Sequence, residues 1–136
     1  RALIEKVKET YNRRLKVGCT GCQYCMPCPS GVNIPGCFQA YNNTSLGSPM
    51  MAKVNYMMSM GGGQDGKSPT SFASQCKSCR KCVKVCTQHI DIPAQLKDVT
   101  KTMETPGTKV LFYVMRPVMN FYMSRERSKN LRKART

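Results

Sequence analysis

CTGCQYCMPC at residues 19–28 and CKSCRKCVKVC at residues 76–86 decide how the rest of this chain reads. Eight of the nine cysteines fall in these two stretches, spaced C-x2-C-x2-C-x2-C and C-x2-C-x2-C-x3-C. Four thiols within ten residues make a poor disulfide framework, because near neighbours rarely meet disulfide geometry. Zinc usually takes two C-x2-C pairs separated by a loop of about 12–20 residues. Three cysteines at successive three-residue steps instead let one loop wrap three corners of a cubane, while the fourth thiolate comes from elsewhere. The spacing points to iron–sulfur chemistry, and eight thiolates match two [4Fe–4S] clusters.

In two-cluster ferredoxins the fourth cysteine of each run ligates the other cluster. That pattern assigns Cys19, Cys22, Cys25 and Cys86 to one cluster and Cys76, Cys79, Cys82 and Cys28 to the other. The pattern alone leaves the uncrossed grouping open. Cys37 is left over and reads as a small buried hydrophobe.

The two runs head a longer repeat. Cys28 and Cys86 each open C-x5-I-P, ending at Ile34-Pro35 and Ile92-Pro93. Val32 then matches Ile90, and Asn33 matches Asp91. Asn33 and Asp91 suit helix caps, and a proline suits the first helical turn. The segments that follow, PGCFQAYNN and PAQLKDVTKTME, are patterned as helices. Each half thus reads as a cluster loop followed by a helix.

Residues 29–75 hold further helix signals. Ser48-Pro49 starts a helix, residues 50–60 continue it, and Gly61-Gly62-Gly63 stops it. Ser68-Pro69 reads as a second start leading into Cys76. Leu3, Val7, Tyr11 and Leu15 form an i, i+4 stripe at the N-terminus. With no alternating strand pattern, the expected fold is an all-α domain with two cluster-binding loops related by internal duplication. Residues 1–105 form the dicluster domain in this reading, and 106–136 a C-terminal docking segment and basic tail. With no tryptophan and 7% aromatics, the side chains supply a thin core, and metal binding adds folding free energy.

The stretches CTGCQYCMPCPSGVNIPGCFQAYN at 19–42 and ASQCKSCRKCVKVCTQHIDIPAQLKDV at 73–99 resemble the C-terminal ferredoxin-like domain of iron–sulfur members of the aldo/keto reductase family. They are also similar to the α-helical ferredoxin fold in iron–sulfur subunits of succinate dehydrogenase and heterodisulfide reductase. The resemblance implies the α-helical ferredoxin-like form of the all-α fold. The resemblance implies that Cys19, Cys22, Cys25, Cys28, Cys76, Cys79, Cys82 and Cys86 ligate clusters. It also implies that a catalytic (β/α)8 barrel precedes the domain in a parent oxidoreductase. That barrel and its catalytic residues are not in these 136 residues, so no catalytic residue is assigned. The second run ends Cys86-Thr87 where such runs usually end Cys-Pro, which implies a looser second site.

Other signals read more plainly. GGGQDGKS at 61–68 satisfies the phosphate-loop pattern, but a phosphate loop follows a strand, and the preceding residues are helical in pattern. His89, the only histidine, lies three residues past Cys86 and reads as structural. The methionines at 50, 51, 57, 58 and 60 suit flexible packing around the clusters or against a partner. The apolar stretches 110–115 and 118–123 suit docking on a protein, and the basic end reads as a solvated, disordered tail. No apolar run is long enough to span a bilayer, and the opening RALIEKVKET lacks a signal peptide's apolar core. Reduced thiols and oxygen-sensitive clusters suit the cytoplasm.

A net charge of +15 favours acidic partners and salt-sensitive association. The expected role is one-electron transfer, with a catalytic barrel domain, a redox partner protein or an acidic electron carrier as partner and no specific nucleic acid. Lys77, Arg80, Lys81 and Lys84 are placed to raise the potential of the nearer cluster. The rival reading from another class is a basic zinc-binding module that recognises nucleic acid. A third reading makes the clusters purely structural.

Overall fold

The computed structural model describes residues 2–62 and 68–133. Among them are six helices, one 3₁₀ turn and no strand. The helices are α1 (Ala2–Arg14), α2 (Ile34–Leu46), α3 (Pro49–Met60), α4 (Lys81–Lys84), α5 (Ile92–Met103) and α6 (Pro106–Lys133), with the 3₁₀ turn at Ala73–Gln75. The all-α expectation holds.

Three helix starts follow the sequence signals. Asn33 accepts a hydrogen bond from the Gly36 amide, Ser48 from the Met51 amide, and Asp91 from the Ala94 amide. In each helix a proline sits in the first turn, where its missing N–H costs nothing. Gly61 closes α3, and the ring of Phe112 lies within 2.5 Å of where a Cβ on Gly61 would stand. A side chain there would push α6 away from α3.

The core forms where α2 packs on both α3 and α5. Val32, Ile34, Cys37 and Phe38 from the first half meet Ile92, Leu96, Val99 and Met103 from the second. Val32 and Ile34 are wholly buried, as is Ile92, while Ile90 is half-buried against the same core. The repeat therefore supplies a shared core in which each half covers the other. Burying such side chains contributes about 1.5–3 kcal/mol apiece. Cys37 is fully buried, and burial pushes its thiol up to about 12.

Several expectations need correction. Ser68-Pro69 starts no helix: residues 69–72 carry no helix or strand geometry, and only the 3₁₀ turn precedes Cys76. The competing interactions are backbone bonds from Ser71 N–H to the Met60 carbonyl and from Asn33 N–H to the Ser71 carbonyl. They tie this segment to the end of α3 and to the cap of α2. Met57 and Met60 fill the core, whereas Met50 and Met51 are exposed. The basic segment, read as a disordered tail, is helical through Lys133. Residues 134–136 and the middle of the GGGQDGKS stretch lie outside the described residues; Gly61 and Gly62 follow helix α3, not a strand.

The stripe on α1 is helical, as expected, but Leu3, Val7 and Tyr11 are exposed. Helix α6 likewise exposes Val110, Leu111, Val114, Val118 and Phe121. No helix among the described residues is long and apolar enough to cross a membrane.

Candidate metal centre

Two anchors deliver the cysteine loops. The first is Asn42 on α2, nearly buried. Its Oδ1 accepts from the amides of Lys16 and Val17 at 3.0 and 2.9 Å, and its Nδ2 donates to the Val17 carbonyl at 2.8 Å. One side chain thus fixes the backbone two residues before Cys19. The second anchor is the pair Tyr56 and Glu104. Tyr56 Oη donates to Glu104 Oε1 at 2.7 Å and accepts from the Ala73 amide at 3.0 Å. Glu104 Oε1 also accepts from the Ser74 amide at 3.0 Å, and Lys109 Nζ lies 3.0 Å from Glu104 Oε2. That network fixes the backbone two residues before Cys76. Neither Asn42 nor Glu104 stood out in the sequence, because nothing in their local pattern marks them.

Inside the loops the duplication extends to single backbone angles. Gly21, Gln23 and Gly31 have positive φ in the first half; Ser78, Arg80 and His89 have it in the second. These are the same repeat positions, offset by 57 within the loops and 58 after them. The Gly21 amide donates to Cys19 Sγ at 3.4 Å, and the Ser78 amide to Cys76 Sγ at 3.4 Å. Gly31 N–H bonds to the Cys28 carbonyl and His89 N–H to the Cys86 carbonyl. His89 is exposed and stands where the first half uses glycine, a position non-glycine residues adopt only at a cost.

The thiols fall into two neighbourhoods. Cys19, Cys22, Cys25 and Cys86 line one recess, whose remaining wall includes Ile34, Phe38, Ile90 and Ile92. In the second, burial pushes the Cys82 thiol up, and negative charge on Cys76, Cys79 and Cys28 pushes it further. Burial also raises Cys25, helped by charge on Cys19, Cys82 and Cys22. The two neighbourhoods therefore adjoin through Cys25 and Cys82. Exposed Cys22 goes the other way: a backbone hydrogen bond at Tyr24 holds it below its ordinary value, with help from the Thr87 and Thr20 hydroxyls. Thr87 Oγ1 lies 3.9 Å from Cys22 Sγ. The residue standing in for the expected proline thus contacts a thiol of the other loop.

These donors suit a thiolate-bound cluster. All nine cysteines are free thiols. Around the recess four sulfurs meet an otherwise mostly apolar wall that keeps water away, and backbone N–H groups point at sulfur. Among the described residues, no three His, Cys, Asp or Glu side chains converge as a single metal ion requires.

A family model described as a 4Fe-4S dicluster domain covers residues 18–91. No curated protein and no solved structure matches.

Proposed function

The chain belongs to the 4Fe-4S dicluster domain family, and from that premise we propose that it is a one-electron transfer module carrying two [4Fe–4S] clusters. Cys19, Cys22, Cys25 and Cys86 hold one cluster in this reading; Cys76, Cys79, Cys82 and Cys28 hold the other. The observation that carries it is the recess, because it joins three thiols of the first loop to the last thiol of the second. When bound, such clusters supply reversible one-electron chemistry at potentials set by ligands, hydrogen bonds and burial.

The chain's own residues have defined tasks. The cysteines bind as thiolates. The amides of Gly21 and Ser78 stabilise negative charge on Cys19 and Cys76, which favours the reduced, more negative state. Ile34, Phe38 and Ile92 exclude water from one side of the recess. Cys25 and Cys82 lie near enough to feel each other's charge, which places the two sites side by side for an electron to pass between them.

The finer setting is a parent oxidoreductase resembling iron–sulfur aldo/keto reductases, with a catalytic barrel as the neighbouring domain or a separate redox protein as partner, in the cytoplasm. The motif CTGCQYCMPCPSGVNIP supports that setting.

Anaerobic iron and acid-labile sulfide quantitation tests the reading. About eight iron and eight sulfide per chain are expected, with a reduced-state paramagnetic resonance signal from two interacting clusters. About two zinc and no sulfide, in chain from iron-replete cells, would replace it with the zinc module.

A further inference from the structure

The duplication makes a comparison possible inside one molecule. Beside the first loop runs a groove walled in part by Gly21, Gln23, Asn33, Gln39 and Asn43. Beside the second loop runs a groove walled in part by Ser78, Arg80, Asp91, Lys97 and Lys101. With the repeat offsets of 57 and 58, these are the same five positions. The backbone is kept, and at four of the five the side chain changes from a neutral amide to a charge, Gly21 and Ser78 being the uncharged pair. The loops differ the same way. Residues 19–28 contain no charged side chain, whereas residues 76–86 contain Lys77, Arg80, Lys81 and Lys84 and no acid.

Holding a cluster does not require that difference, since the uncharged loop has the same backbone. Among the described residues, the cations also lack strong partners. Arg80 reaches Asp91 at only 3.9 Å, and Lys101 reaches Asp98 at only 3.8 Å, all four side chains being at least half exposed. Asp91 is further engaged in capping α5. Lys77, Lys81, Lys84 and Lys97 are exposed.

We propose that the groove of Arg80, Lys97 and Lys101, together with the exposed Lys77, Lys81 and Lys84 of the same cysteine loop, is the docking surface for an acidic one-electron carrier protein. The inference rests on the iron–sulfur reading of the loops and adds which of them meets the carrier. The transfer moves one electron from the reduced carrier to this domain; no covalent bond forms and no proton is required. The amide-lined groove stands apart from that contact and leaves the first loop for a different neighbour.

The test pairs equivalent positions. Lys97→Gln with Lys101→Gln, and Gln39→Glu with Asn43→Asp, each lower the net charge by two at exposed helical sites. Association of the reconstituted full chain with oxidised flavodoxin, an acidic one-electron carrier, is followed by surface plasmon resonance across ionic strength. Iron content is measured on the same samples. The lysine pair is expected to slow association roughly tenfold at low salt and to flatten its salt dependence. The amide pair is expected to stay within about twofold. Equal losses from both pairs, or no loss from either, would overturn the proposal. Charge-dependent binding at the second groove by a chain lacking iron would keep the surface and remove the iron–sulfur reading. Full iron with equal losses would do the reverse.

Discussion

Glu104 has no exposed side-chain surface, yet it sets where a cluster loop begins. Burial raises its carboxyl, but hydrogen bonds from Ser74, Tyr56 and Lys109 outweigh burial and hold it below the ordinary 4.5. An acid depressed in the folded state contributes stability above its unfolded value and loses that contribution as pH falls through its folded value. Glu104→Gln is therefore expected to destabilise the reconstituted chain by about 1–3 kcal/mol at neutral pH, with the deficit shrinking under acid. Thermal midpoints at neutral and mildly acidic pH check this; an unchanged neutral midpoint would remove Glu104 from the anchor. The cysteines announce themselves by spacing, and Asn33 and Asp91 by their place before a proline. Glu104 does not, because its partners Tyr56 and Ser74 lie 48 and 30 residues away and no local period links them.

At the scale of the element, the positive-φ positions define the loops. A β-branched residue in the left-handed region costs about 1–2 kcal/mol, so Gly31→Val is expected to lower the thermal midpoint. His89→Gly is expected to keep full iron content, since the position asks for backbone freedom and not for a ligand nitrogen. Loss of about four iron on that change would make His89 a ligand. The cap, proline and glycine signals marked α2, α3 and α5 closely, because those signals act within one turn. Ser68-Pro69 misled for the opposite reason: the backbone there is taken up by Met60 and Asn33, contacts that only the folded chain creates. The stripe of α1 predicts a helix correctly and its environment poorly, since periodicity says which face is apolar and not what covers it.

For the whole molecule, the grouping of thiols decides how the halves depend on each other. In the full chain, Cys19→Ala with Cys86→Ala should cost one cluster, about four iron. Cys76→Ala with Cys86→Ala should cost both. The uncrossed grouping predicts the reverse pairing, so iron counts on two variants separate them. The all-α architecture was legible because a duplication with helix signals in both halves leaves little else. The recess was legible as a pattern; its apolar wall was not, because Ile34 and Phe38 gain that role only when α2 lies against the second half.

The recess shared by Cys86 with Cys19, Cys22 and Cys25 also has a meaning in time. A ribosome adding roughly 5–20 residues per second reaches Cys86 about three to twelve seconds after Cys25. Through that interval the first three thiols are synthesised but their fourth partner is not. In the proposed grouping, delivery of iron and sulfur to that site waits until residue 86 has been added, and the nascent chain needs protection from oxidants until then.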